Sequence, residues 1–201
     1  DCAKCIPSDK KIRLCEKYGL PVSSVEKENP SLLHARLGAY LAHEKYGVKD
    51  EEIICAIESH TTGRPGMSML EKIVYIADYI EPGRRELPNM ADVRQLAFRD
   101  IDECLYRILK DSLVYLDSKN ITVDPMTQRT YDYYKKEMGK IILDLKKQGK
   151  TIVIVSHDVE FCAEYGDRCA MFFQGKIISE SSIREMICTN RFYTTVSHKM
   201  A

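Results

Sequence analysis

The residues in this sequence best suited to chemistry are Asp1, His34, His60 and Asp78. Imidazole nitrogen and carboxylate oxygen are the donors that borderline divalent cations such as Fe, Mn or Zn accept. His60 ends a helical pattern on the face shared by Ile53 and Ile57. Asp78 comes one turn after Val74, at the edge of an apolar stripe. A carboxylate there is costly unless a cation, an ion pair or hydrogen bonds satisfy it. Each residue alone also fits a structural role: His60 as a core histidine with satisfied ring nitrogens, Asp78 as a rim residue paired with a Lys or Arg.

The elements that must position these residues read as consecutive helices. Ser8 suits the cap of a helix running to about Tyr18 and stopped by Gly19. Ser31 precedes a second helix, with Leu33, Leu37, Tyr40 and Leu41 at helical spacing, and Asp50 opens a third. Ser68-Met-Leu-Glu71 has the form of a capping box, followed by a stripe of Leu70, Ile73, Val74, Ala77 and Ile80. Further helices are expected over residues 91–98 and from Ile101 past Leu116. Asp124-Pro125 opens another through Tyr131, Tyr134 and Met138.

The words around the four residues occur in a telling order. Asp1-Cys-Ala-Lys4 comes first, then Leu33-His34-Ala-Arg-Leu-Gly-Ala39, Ser59-His60-Thr-Thr-Gly63 and Ile76-Ala-Asp78-Tyr-Ile-Glu-Pro-Gly-Arg84. With the tail Asp124-Pro-Met-Thr-Gln-Arg-Thr-Tyr-Asp-Tyr-Tyr, they closely resemble the symmetrical bis(5'-nucleosyl)-tetraphosphatase family of HD-domain proteins, over about residues 1–136. The resemblance implies a centre of two divalent metals (Fe, alternatively Mn or Co), with Asp1, His34, His60 and Asp78 among the ligands. It implies catalytic roles for Asp1 and Lys4, and substrate-phosphate contacts from Lys4, Thr61, Thr62 and Arg84. The implied reaction is symmetrical cleavage of diadenosine tetraphosphate to two ADP, with a nucleotide as the small-molecule partner and a homodimer left open. The family pattern also has a His directly before the Asp and another in an earlier helix. Neither occurs here, and the sequence begins with Asp1 rather than Met. A truncated N-terminus with weak metal binding and slow or absent hydrolysis is therefore expected.

The style changes after the Asp124 helix. Thr151-Ile-Val-Ile-Val155 reads as a strand of the kind a parent fold covers on both sides, with apolar surface expected to stay exposed here, residues 159–165 as a short helix, and Arg168–Ser179 as a hairpin turning at Gln174-Gly175. A last helix is expected over residues 182–187. The stretch from Gln148 through His157-Asp158 to Gly175-Lys-Ile-Ile is similar to the C-terminal end of an ABC transporter ATPase, in which His157 would be the switch histidine. The sequence holds no G-x-x-x-x-G-K-[ST] loop, no signature motif and no acidic strand end for magnesium. His157 is accordingly expected to be idle.

Bulk composition narrows the rest. The charge balance, with 30 Lys and Arg against 30 Asp and Glu, gives no basic field for nucleic acid. No run approaches a membrane span, and cysteines such as Cys15, Cys55 and Cys104 sit inside apolar patterns, which favours a cytoplasmic setting. Cys2-Ala-Lys-Cys5 lacks the second ligand pair that a zinc site needs, so its thiols read as successive turns of a helix. The expected architecture is mainly α: an HD-domain helical bundle over residues 1–138, then a small α/β segment over 139–201. The competing readings are a fragment of a transporter's nucleotide-binding subunit and an inactive fusion remnant.

Overall fold

The structure, a computed structural model, describes residues 2–83, 89–156 and 158–189. It divides into two units, Asp1–Tyr134 and Lys135–Ala201, with the division falling inside a long helix. The mainly α architecture with a small C-terminal sheet is as the sequence leads one to expect.

In the first unit the helices are α1 (Ser8–Lys17), α2 (Ser24–Glu28), α3 (Leu33–Glu44), α4 (Glu51–Ser59), α5 (Met69–Ile80), α6 (Met90–Ala97) and α7 (Ile101–Ser118). The N-terminal part of α8 (Pro125–Lys147) completes it. Helix α3 packs on α1 and α4, α4 on α5, and α7 on α5 and α6. Two apolar clusters hold this arrangement. Ala3, Cys15, Leu33 and Leu37 form one; Met67, Tyr75, Ile76, Val93, Leu105, Ile108, Leu109 and Tyr134 dominate the other.

Several helix ends differ from expectation. Pro7, not Ser8, occupies the cap of α1, and no side chain caps it. Helix α2, which the apolar spacing does not reveal, is fastened by a capping box between Ser23 and Glu26. Ser31 lies within a 3-10 turn over Pro30–Leu32, just ahead of α3. Cys2 and Cys5 are exposed in a turn rather than on a helix.

The capping box Ser68–Glu71 forms as expected, but the face that α5 buries does not. Tyr75 and Ile76 are buried, whereas Ile73 is 49% exposed. The physical reason is Glu71, which is fully buried and bonded to the loop before the helix. Tyr75, four residues on, shares that face and must also turn inward.

The second unit holds the rest of α8, α9 (Val159–Tyr165), a hairpin of β1 (Arg168–Phe173) and β2 (Lys176–Ser182), and α10 (Ile183–Thr189). Gln174 and Gly175 both take positive φ, 47° and 77°, which suits the tight connection of a two-residue hairpin loop. Gly139 on α8 makes room for Tyr165 of α9, whose ring would lie 2.1 Å from any added Cβ.

Residues 151–155 form no strand, and Val153 and Val155 are 87% and 95% exposed. This corrects the expected strand, while the apolar exposure is as expected for the run. A central strand needs hydrogen-bonding neighbours and covering layers, and among the described residues the only sheet is the β1–β2 hairpin.

Candidate functional site

Three short segments converge at the junction of α3, α4 and the N-terminal turn. Gly38 of α3 lies where an added Cβ would be 3.5 Å from Ile57 Cγ2 and 3.9 Å from the Ala3 Cβ. This close approach sets three neighbours of those contacts beside one another: His34 one turn before Gly38, His60 three residues after Ile57, and Lys4 next to Ala3.

His34 and His60 face each other with 3.0 Å between their Nε2 atoms and with rings in an edge arrangement 4.9 Å apart. Nδ1 of His34 donates to the Ser31 carbonyl, and Nδ1 of His60 to the Ile57 carbonyl at 2.6 Å. A carbonyl oxygen only accepts, so both protons belong on Nδ1 and both lone pairs on Nε2. Two such nitrogens cannot share a hydrogen bond. The pair could hold a cation of octahedral preference, because adjacent ligands about 2.1 Å from one such ion stand about 3.0 Å apart. Fixing the tautomer through Nδ1 is also how metal-ligating histidines are ordinarily oriented. Burial pushes the His34 imidazole below its ordinary pKa; the Ser31 carbonyl opposes this, while His60, Lys11 and Lys4 add to it. A lowered pKa keeps the ring neutral, the form that binds metal.

The remaining expected residues are placed as follows. The Thr61 hydroxyl lies 3.3 Å from His34 Nε2, and that of Thr62 donates to the Gly63 carbonyl at 3.2 Å. Lys4 Nζ lies 3.8 Å from Asp78 Oδ1, so Asp78 has the ion pair that the structural reading of it required. Among the described residues, no three His, Cys, Asp or Glu side chains form a metal cage. Asp1, Arg84 and His157 lie outside the described residues.

Among the described residues three charged side chains are buried, Lys11, Glu26 and Glu71, and the sequence reading foresaw the burial of none; two of them bear on the site. Lys11, 5% exposed, donates to the Lys4 carbonyl at 3.1 Å, securing the turn that carries Lys4. Glu71 accepts from Ser59, Arg64 and Ser68, the residues that bracket His60 and Thr61. The capping box marks Glu71 as an N3 residue, but nothing in the spacing marks its reach back to Ser59.

The HD domain family matches residues 1–83. A symmetrical bis(5'-nucleosyl)-tetraphosphatase of Bacillus subtilis is 42% identical over 133 residues, which is 66% of this chain and 70% of that protein. The chain belongs to this family of HD-domain phosphohydrolases. In three dimensions the chain is similar to a crystal structure described as a predicted HD superfamily hydrolase involved in NAD metabolism, from Clostridium acetobutylicum. The TM-score is 0.65 at 38% identity, covering 68% of this chain and 72% of that one. A second likeness is to a Bacillus cereus protein assigned as an ABC transporter ATP-binding protein, 36% identical over 92 residues, 46% of this chain but 15% of that protein. The family thus accounts for the helical unit, and the transporter likeness covers a small share of an ATPase.

Proposed function

We propose that this chain hydrolyses dinucleoside polyphosphates, cleaving diadenosine tetraphosphate symmetrically: one water enters and two ADP leave. The observation that carries the reading is the His34–His60 pair, with its Nε2 atoms 3.0 Å apart, in a member of this family. His34 and His60 would hold a divalent cation, with Asp78 and Asp1 as further ligands and a second ion in a dinuclear centre of Fe, Mn or Co. The metal supplies water activation near neutral pH and neutralisation of phosphoryl charge.

The protein's own groups do the rest. Lys4 and Arg84 hold phosphate oxygens and offset charge that grows on the transferring group. Thr61 and Thr62 orient the polyphosphate by hydroxyl donation. Lys4 must exchange its pairing with Asp78 for phosphate; at 3.8 Å, with Lys4 more than half exposed, that pairing is weak enough to yield. No helix among the described residues is long and apolar enough to cross a membrane. A cytoplasmic setting is supported by eight cysteines that are all free thiols.

The test is product analysis with Mn(II), Fe(II) or Co(II) present. ADP as the sole nucleotide product, formed slowly by this chain and lost in His60→Ala, is the expected result. ATP plus AMP, or ADP formation undiminished in His60→Ala, would overturn the reading.

A further inference from the structure

The first unit contains two carboxylates built on the same plan. Glu26 and Glu71 are both buried, both are the N3 member of a capping box, and both meet an arginine. They differ in what they hold. Glu26 accepts from Ser23 N at 2.8 Å and meets Arg36, which donates to the Pro21 carbonyl and lies 3.8 Å from Glu58 on the exposed side of α4, so Glu26 itself holds no residue of the His60 loop. Glu71 reaches outside its own helix. Oε1 accepts from the Ser59 hydroxyl at 3.0 Å and from Arg64 Nε at 2.6 Å. Oε2 accepts from Arg64 Nη2 at 2.6 Å and Ser68 N at 2.7 Å.

Ser59 is the last residue of α4 and His60 follows it; Ser68 caps α5. One side chain therefore grips both ends of the loop that carries His60, Thr61 and Thr62, and its middle at Arg64. The opposite side of the loop is closed as well. Gly63, at φ +66°, lies where a Cβ would be 2.7 Å from Thr130 Cγ2, and Met67 N donates to the Tyr134 hydroxyl at 2.9 Å. A loop gripped at both ends and backed by a wall has little freedom to move His60.

We infer that Glu71 is a positioning residue for the metal and phosphate site: by joining Ser59, Arg64 and Ser68 it sets where His60 and Thr61 present their donor atoms. The inference rests on the reading of His60 as a metal ligand. Glu71 touches neither metal nor substrate and acts through Ser59 and the loop backbone. Groups that orient ligands in this way commonly affect metal affinity about 10–100-fold when replaced.

The experiment compares Mn(II) binding, followed by electron paramagnetic resonance, in the parent chain, Glu71→Gln, Glu26→Gln and His60→Ala. Thermal stability and amide hydrogen exchange are measured on the same samples. Both Glu variants should lower Tm. Only Glu71→Gln should weaken Mn(II) binding, by about ten-fold or more, and speed exchange at the Gly63 and Met67 amides. Mn(II) affinity in Glu71→Gln equal to that of the parent would overturn the inference while leaving the site reading intact. So would equal losses in both Glu variants, since that marks a general effect of lost stability. Binding in His60→Ala equal to the parent would overturn the site reading and the inference with it. If Glu71→Gln fails to fold, Ser59→Ala removes the side-chain link from Glu71 to the residue before His60. A several-fold loss of affinity supports the inference, and none overturns it.

Discussion

The two units treat their most apolar segments in opposite ways. In the first, α7 buries Cys104, Leu105, Ile108 and Leu109 completely against α5 and α6. In the second, Val153, Val155, Phe172 and Phe173 stay more than half exposed, although the run 151–155 has the stronger β-forming composition. A helix satisfies its own backbone hydrogen bonds, so it needs only one covered face. A strand depends on neighbours for both its hydrogen bonds and its two faces. The helical unit is complete enough to bring distant residues such as His34 and His60 within 3.0 Å of each other. In the second unit a segment of strong β character has no sheet to join among the described residues. Composition alone does not reveal that difference.

Substitutions should divide along the same line. The largest effect is expected on activity: His60→Ala should reduce ADP release to the background without added metal, since it removes one of the two facing nitrogens proposed to hold the cation. Glu160→Ala, at an exposed position on α9, should leave the rate within about two-fold, because exposed surface substitutions ordinarily carry little free energy. Equal losses in the two variants would erase the distinction between the units.

Next in size are packing effects. Leu105→Ala, at a fully buried position, should destabilise the first unit by about 2–5 kcal/mol in denaturant unfolding. Gly139→Ala should cost the second unit about 1–3 kcal/mol, because the Tyr165 ring occupies the space of the new methyl group. Finding the two costs in reverse order would mean that the second unit is the better packed.

A smaller effect concerns pH. Burial pushes the Glu71 carboxyl up, but Arg64, the Ser68 N–H and the Ser59 hydroxyl together outweigh it and hold the group below the usual carboxylate range. A depressed native pKa contributes stability that is present above the unfolded value, near 4.3, and is lost as pH falls through the native value. Acid titration of the parent should therefore show unfolding of the first unit below about pH 4, and Glu71→Gln should flatten that dependence. An unchanged slope would show that the carboxylate is not ionised in the native protein.

The smallest effect is at Val155, 95% exposed, where Val155→Ser should shift stability by no more than about 0.5 kcal/mol. The same change should reduce self-association by sedimentation, since an exposed β-prone run invites pairing. A loss of several kcal/mol would show that the segment is covered in solution.

Much of the fold was legible because helical signals are local. The capping box at Ser68–Glu71, the Asp50 cap of α4 and the Gln174-Gly175 turn are read within a few residues. The inward face of α5 was not legible, because it is chosen by a bond from Glu71 to Ser59, twelve residues earlier. The run 151–155 differs for a related reason: its strand propensity is local and plain, but whether a partner strand pairs with it depends on distant segments, and among the described residues none does. At the site, the types and order of His34 and His60 suggested a metal, while their Nδ1 partners and the Lys4–Asp78 pairing needed coordinates.

The proposed function stands or falls on a cation shared by His34 and His60. Anomalous scattering from crystals soaked in Mn(II) tests it most directly. A shared cation gives a peak within about 2.3 Å of both Nε2 atoms, absent in His60→Ala crystals grown the same way. Peaks elsewhere on the protein, with the two histidines lacking anomalous density between them, would contradict it.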